Sequence, residues 1–155
     1  MARQIDRLAL DKESLGAKCV MFHLRRSTRV VSKLYSGILA DIGLESTHFS
    51  ALMIISRLGP LSISDIAKKM GLERTSMSRN LKPIARKHLI DISDSGHGRA
   101  RQVEITKKGR EALAEAIPQW EAAQANLRSL IGDEDTDTLI TLLIRIYAMT
   151  AMDTE

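Results

Sequence analysis

The sequence holds one cysteine, Cys19, so no internal disulfide can form, and the paired spacings of zinc fingers are missing. No stretch approaches the roughly 20 apolar residues of a membrane-crossing helix, so no membrane partner is expected. The opening segment, MARQIDRLALDKESLG, lacks the apolar core of a signal peptide, and the expected location is the cytoplasm. A glycine-rich phosphate loop, a paired-carboxylate signature and metal-ligand spacing among the four histidines are all lacking, so no cofactor or metal is expected. His48 or His97 could serve a small enzyme as a base, but neither has a partnered nucleophile, and the chain reads as a non-enzyme. Repeats, low-complexity tracts and linkers long enough to separate domains are missing too. A chain of 155 residues then suggests one domain, or one domain with an oligomerisation element.

The net charge of +4 is modest, but it is unevenly spread. Residues 60–110 carry 12 Lys/Arg against 5 Asp/Glu, whereas residues 111–155 carry 2 against 9. A basic middle before an acidic end points to a polyanion held by the middle alone. The plain alternative is an uneven solvated surface.

Hydrophobic periodicity predicts a long helix from about Ser14 to Asp41, with Val20, Leu24, Ser27, Val31, Leu34 and Ile38 at spacings of 4 and 3. At about 1.5 Å per residue it is too long to bury against one small domain, so part of it should meet a partner chain. Gly43 is its stop signal. A second helix is expected from Thr47 to Leu58, capped by Ser46 or Thr47 and ended by Gly59-Pro60. Ser62 opens a short helix stopped by Gly71. IDIS (90–93) and QVEIT (102–106) alternate like the strands of a β-hairpin around SGHGRA. Thr106 can cap a long helix with Leu113, Ile117, Trp120, Leu127 and Leu130 on one side, and Pro118 should kink it. Gly132 ends it, and LITLLIRIYAM forms a strongly apolar last helix behind an acidic start.

Residues 63–84, ISDIAKKMGLERTSMSRNLKPI, read as two helices joined by a tight turn. Ala67 is small where the helices must cross, and Gly71 permits the positive φ of the turn. Ile66, Met70, Leu72, Met77, Leu81 and Ile84 supply a shared core. This is the helix-turn-helix pattern, whose second helix enters the DNA major groove. On that helix Thr75, Arg79, Lys82 and Arg86 share one face, flanked by Ser76, Asn80 and Lys87. Arginine can bond a guanine edge at two points and asparagine an adenine edge, while hydroxyls suit phosphates or bases. Arg99 and Arg101 lie just past the hairpin tip, where a wing can set an arginine into the minor groove. Pro83 either bends the helix beyond its reading half or is a tolerated kink. A solvated helix face with some basic residues is the plain alternative.

The chain resembles the MarR family of winged helix-turn-helix transcription regulators over essentially its whole length. The matching stretches are FHLRRSTRVVSKLY, RTSMSRNLKPI and GRARQVEITKKG. The resemblance implies an all-α fold with a small β-wing, a winged helix-turn-helix flanked by long N- and C-terminal dimerisation helices. Residues 1–45 would form the N-terminal dimerisation helix, 46–106 the DNA-binding region and 107–155 the C-terminal dimerisation helices. It further implies a homodimeric repressor on a palindromic double-stranded DNA operator, released by a small ligand or an oxidant. The expected DNA-binding residues are Ser62, Ser64, Thr75, Ser76, Ser78, Arg79, Asn80, Lys82, Arg86, Arg99 and Arg101. Two positions depart from the family pattern. His97 stands where an aspartate often orients the wing arginine, and His88 stands where glycine usually closes the recognition helix.

Effectors in this family lodge between the first, second and fifth helices, which makes Phe22, Arg26, Ser27, His48 and Trp120 the candidates here. Arg25, Arg29 and Lys33 recur at spacings of 4 beside Arg26, as a solvated or dimer-edge face or as part of a site for an aromatic acid or acyl-CoA. Some members sense peroxides through a first-helix cysteine. Cys19 lies two residues before that place, which Met21 occupies, so a buried structural cysteine is expected. The alternatives to ligand control are a redox-sensing repressor using Cys19, or a constitutive architectural DNA binder without effector.

Overall fold

The computed structural model describes residues 15–93 and 101–152. The chain begins with a short helix α1 (Leu15–Lys18) and a long helix α2 (Val20–Leu39), which a 3-10 turn (Ala40–Ile42) extends. The expected single helix is therefore broken at Cys19, which is extended (φ −84°, ψ 107°). Its Sγ accepts the Phe22 amide at 3.4 Å, and the His23 ring donates across the break to the Ala17 carbonyl at 3.0 Å. Local caps thus replace the helix bonds that the break removes. Cys19 is exposed, not buried as expected, because among the described residues no other element of the chain covers this end of the helix: Lys18, Val20, Met21, Phe22 and His23 are exposed around it. Gly43 (φ 68°) ends this unit in the left-handed conformation that its sequence position suggested.

Helix α3 (Ser46–Leu58) is capped one residue earlier than expected. The Glu45 side chain accepts the His48 amide, and His48 Nδ1 accepts the Glu45 amide at 3.5 Å. That reciprocal pair satisfies two amides at once, which neither Ser46 nor Thr47 could do alone. A strand that periodicity did not predict follows, β1 (Leu61–Ser62), too short to show any alternation. Helices α4 (Ile63–Met70) and α5 (Arg74–Arg86) form the helix-turn-helix, with Gly71 left-handed at φ 63° between them. Strands β2 (Ile90–Ser93) and β3 (Gln102–Ile105) pair antiparallel, and β1 pairs with the other edge of β3 through Leu61↔Val103 and Ser62↔Gln102.

Ile66, Met77, Leu81 and Ile84 are fully buried in one core with Leu39, Leu52, Ile55, Ile90 and Val103. Met70 packs at its edge, but Leu72, expected inside, is 36% exposed because it lines an open cleft beside Tyr147 of the last helix. Helix α5 closes at His88, whose φ of 56° fulfils the expectation that a side-chain residue must take this turn. The Thr106 hydroxyl then makes two bonds, donating to the His88 carbonyl at 2.8 Å and accepting the Gly109 amide at 2.9 Å. It caps helix α6 (Lys107–Ile131), which carries Pro118 within it. Gly109 is required here, since a Cβ would lie 2.0 Å from the Leu89 carbonyl oxygen.

Helix α7 (Asp133–Met152) starts with the acidic turn Asp133, Glu134, Asp135, which suits a helix N-terminus. Arg128 of α6 bridges to Asp133 at 3.3 Å and Asp137 at 2.6 Å across the intervening turn at Gly132. Beyond Thr136 this helix buries little. Leu139, Ile140, Leu142, Leu143, Ile144, Ile146 and Met149 are all exposed, as are Val20, Met21 and Phe22 on α2.

Candidate nucleic-acid interface

On α5 the buried residues Met77, Leu81 and Ile84 recur at spacings of 4 and 3 and fix which side faces the core. The opposite side is thereby set outward: Arg74, Thr75, Arg79, Lys82 and Arg86 are exposed, with Ser76, Ser78 and Asn80 half-buried. Strand pairing brings in the second wall. Because Gln102 sits opposite Ser62, Arg101 reaches the start of α4 and the first turns of α5. Together Ile63, Arg74, Thr75, Ser78, Arg79, Lys82 and Arg101 line a groove of about 440 Å³. Four of these seven are cations and none is an acid, so the groove can hold a polyanion while its hydroxyls and guanidiniums donate hydrogen bonds.

The groove gathers Thr75, Ser78, Arg79, Lys82 and Arg101 from the residues that the sequence singles out and leaves others elsewhere. Ser76 lines a different cleft, beside Tyr147. The Ser62 hydroxyl is buried and committed, donating to Asp65 Oδ2 at 2.6 Å and accepting the Asp65 amide at 3.1 Å. Ser64, two residues on, is exposed. Arg99 and His97 lie outside the described residues. Sequence reasoning missed Arg74, although Arg74, Ser78 and Lys82 recur at intervals of 4 and so share a helix face. The lysine after the helix is engaged away from this groove. Lys87 Nζ donates to the Gly43 carbonyl and ties the end of α5 to the turn after α2.

The structure places the five effector candidates in different local surroundings. Phe22 and Arg26 join Arg25 and Arg29 around a cleft of about 510 Å³ on the exposed side of α2, and Ser27 is exposed on the same helix outside that lining. His48 is buried in its capping pair with Glu45. Burial lowers the pKa of its imidazole, the Glu45 charge raises it and the Lys87 charge lowers it. Trp120 stacks on Phe49 with ring centroids 6.1 Å apart, as part of the core edge. Among the described residues no group of His, Cys, Asp and Glu could hold a metal ion, and no helix is long and apolar enough to cross a membrane.

Comparison with known proteins fits this geometry. Residues 42–100, from the turn after α2 through the wing segment, match the model of the MarR family. The M. tuberculosis transcriptional regulator MosR is 30% identical, with 85% of this chain and 96% of that one covered at a TM-score of 0.72. The chain belongs to the MarR family. Its winged-helix fold is that of these DNA-binding transcriptional regulators, and the relatives it matches are regulators and not enzymes. MosR in complex with DNA is 29% identical over 88% of this chain and 99% of that one, with a TM-score of 0.78. The transcriptional repressor CouR bound to p-coumaroyl-CoA shares the fold at 23% identity, covering 87% and 96% of the two chains with a TM-score of 0.78.

Proposed function

We propose that this MarR-family chain is a homodimeric repressor that reads a palindromic double-stranded DNA operator with α5 in the major groove and Arg101 toward the minor groove. The observation that carries this reading is the groove between α5 and Arg101, basic throughout its charged lining. MosR, a relative at 29% identity, is known in complex with DNA. Within the groove Arg79 is the base reader, since a guanidinium can bond a guanine at two points, with Asn80 beside it for adenine. Thr75, Ser76, Ser78, Lys82, Arg86 and Ser64 set the register against phosphates. Arg79→Ala should relax base discrimination by about 1–3 kcal/mol at one position per half-site. Lys82→Ala should weaken all duplexes alike and flatten the salt dependence by about one phosphate. Uniform loss across operator variants in both mutants would remove Arg79 from base reading.

The effector in this reading is a small anion with an apolar portion, such as an aromatic acid or its CoA thioester. Arg25, Arg26 and Arg29 around Phe22 offer three guanidiniums for phosphate or carboxylate and a ring for the apolar part. CouR, which shares the fold, is known with p-coumaroyl-CoA bound. Release of DNA requires that the ligand favour the dimer shape whose two α5 helices miss successive major grooves. A second reading has one observation in its favour: Cys19 is exposed at the start of α2, open to an oxidant. Operator binding by wild type and Cys19→Ser, each with peroxide and with aromatic acids and their CoA thioesters, separates the two. Release by thioester or acid in both proteins supports ligand control. Release by peroxide in wild type alone, with no ligand response, establishes the redox switch instead.

A further inference from the structure

The last helix touches the helix-turn-helix through Tyr147, a contact that neither the DNA groove nor the core explains. Tyr147 of α7 donates its hydroxyl to the Lys68 carbonyl at 2.5 Å, a contact between residues 79 positions apart. Lys68 lies in the last turn of α4, where helix carbonyls lack partners within the helix. The same carbonyl accepts the Gly71 amide at 3.2 Å, so Tyr147 bonds to the group that shapes the turn. Its ring rests on that turn as well: a Cβ on Gly71 would meet Tyr147 Cε2 at 3.4 Å, an ordinary packing distance. Beside this contact runs a cleft of about 500 Å³, lined by Lys68, Leu72, Glu73, Ser76 and Tyr147, so the α7 side of the turn is otherwise loosely filled. Three residues past Gly71, α5 begins with Arg74 and Thr75, both exposed toward the groove.

We propose that Tyr147 is a positioning residue that ties α7 to the α4–α5 turn and so sets the angle at which α5 meets DNA. This rests on the proposed function, in which a homodimer sets two α5 helices into DNA, and on α7 serving as a dimerisation helix, as the family resemblance implies. Around Tyr147, α7 exposes Leu143, Ile144, Ile146 and Met149, the surface a second chain would cover. A rotation of α7 in that interface reaches the turn through the Tyr147 ring and hydroxyl, and the turn carries it to Arg74 and Thr75. Two recognition helices must fit successive major grooves together, so a small change in their angle is felt as a mismatch in half-site spacing.

Tyr147→Phe keeps the ring and deletes the hydroxyl bond, and Tyr147→Ala deletes both. The probe is a palindromic duplex selected by the wild-type protein from a random-sequence pool, compared with versions whose half-sites stand one base pair closer or farther apart. One base pair turns the half-sites by roughly 35° relative to each other. Tyr147→Phe should lose about fivefold in affinity for the selected duplex, the scale of one hydrogen bond, and Tyr147→Ala more. Both should narrow the gap between correct and altered spacing, while dimerisation and binding to an unrelated duplex stay as in wild type. Unchanged affinity and unchanged spacing preference in both variants would overturn the proposal. So would equal losses on every duplex, which mark a merely structural tyrosine, or loss of the dimer, which marks an assembly role. If the wild-type protein itself selects no duplex, the DNA reading of α5 fails, an outcome distinct from these.

Discussion

At single positions this chain tolerates a side chain where the backbone favours none. His88 takes φ 56° to turn the chain from α5 into β2, and its amide and carbonyl bond to the Ala85 carbonyl and the Thr106 hydroxyl. Both bonds use the backbone, and the side chain is exposed, so nothing in the turn depends on the imidazole. A left-handed residue with a Cβ costs about 1–2 kcal/mol, partly offset when glycine replaces it by the extra freedom of the unfolded chain. His88→Gly should therefore raise stability by about 0.5–1 kcal/mol. Urea unfolding checks this, and a lower midpoint in the variant would show that the histidine side chain contributes something of its own. Gly109 is the opposite case, a position where backbone meets backbone too closely for any Cβ.

The elements are held at their ends by caps, and one cap is sensitive to protons. Helix α3 starts with the Glu45–His48 pair, in which His48 Nδ1 must be unprotonated to accept the Glu45 amide. Burial holds the His48 pKa below the ordinary 6.5, so the unfolded chain takes up a proton first as pH falls. Stability from this group is full above pH 6.5 and is lost as pH drops toward the lowered folded value. His48→Gln keeps a side-chain acceptor for the cap and cannot titrate. Between about pH 7.5 and 5.5 the wild type should lose more stability than His48→Gln, measured by urea midpoints at each pH. Equal losses in the two proteins would remove His48 as the source. Lys87 adds a reason to expect the effect near DNA-binding elements, because it sits at the end of α5 and also lowers the His48 pKa.

At the scale of the whole molecule the unbalanced feature is α7, apolar on nearly every side and exposed on nearly every side. A helix that is hydrophobic all round is stable in water only when covered, and α2 offers Val20, Met21 and Phe22 as further apolar surface. The protein should therefore be an obligate dimer whose folding depends on its own concentration. Sedimentation showing a stable folded monomer at micromolar concentration would refute this. Ile144, 61% exposed in one chain, should be covered in the dimer, so Ile144→Glu should shift the protein toward monomer and lower its unfolding midpoint.

What the sequence by itself determined was the part governed by local chemistry and periodicity. Gly43, Gly71 and Gly132 mark turns because positive φ favours glycine, and Thr106 marks a helix start because its hydroxyl can accept a backbone amide. The spacing of Met77, Leu81 and Ile84 set one face of α5 inward, and that alone turned Thr75, Arg79, Lys82 and Arg86 outward. The tertiary structure decided whatever depends on residues far apart in the chain. Only the pairing of β1 with β3 brings Arg101 against Arg74 and Ile63, and a two-residue strand carries no periodic signal. Only packing buries His48 and stacks Trp120 on Phe49, residues 71 positions apart in the chain. The seat of Tyr147 on the α4–α5 turn belongs there too, because its hydroxyl and the Lys68 carbonyl lie 79 positions apart. The break at Cys19 is the opposite case, held by bonds between residues 17 and 23, and periodicity misses it because the apolar spacing runs on unchanged through the break.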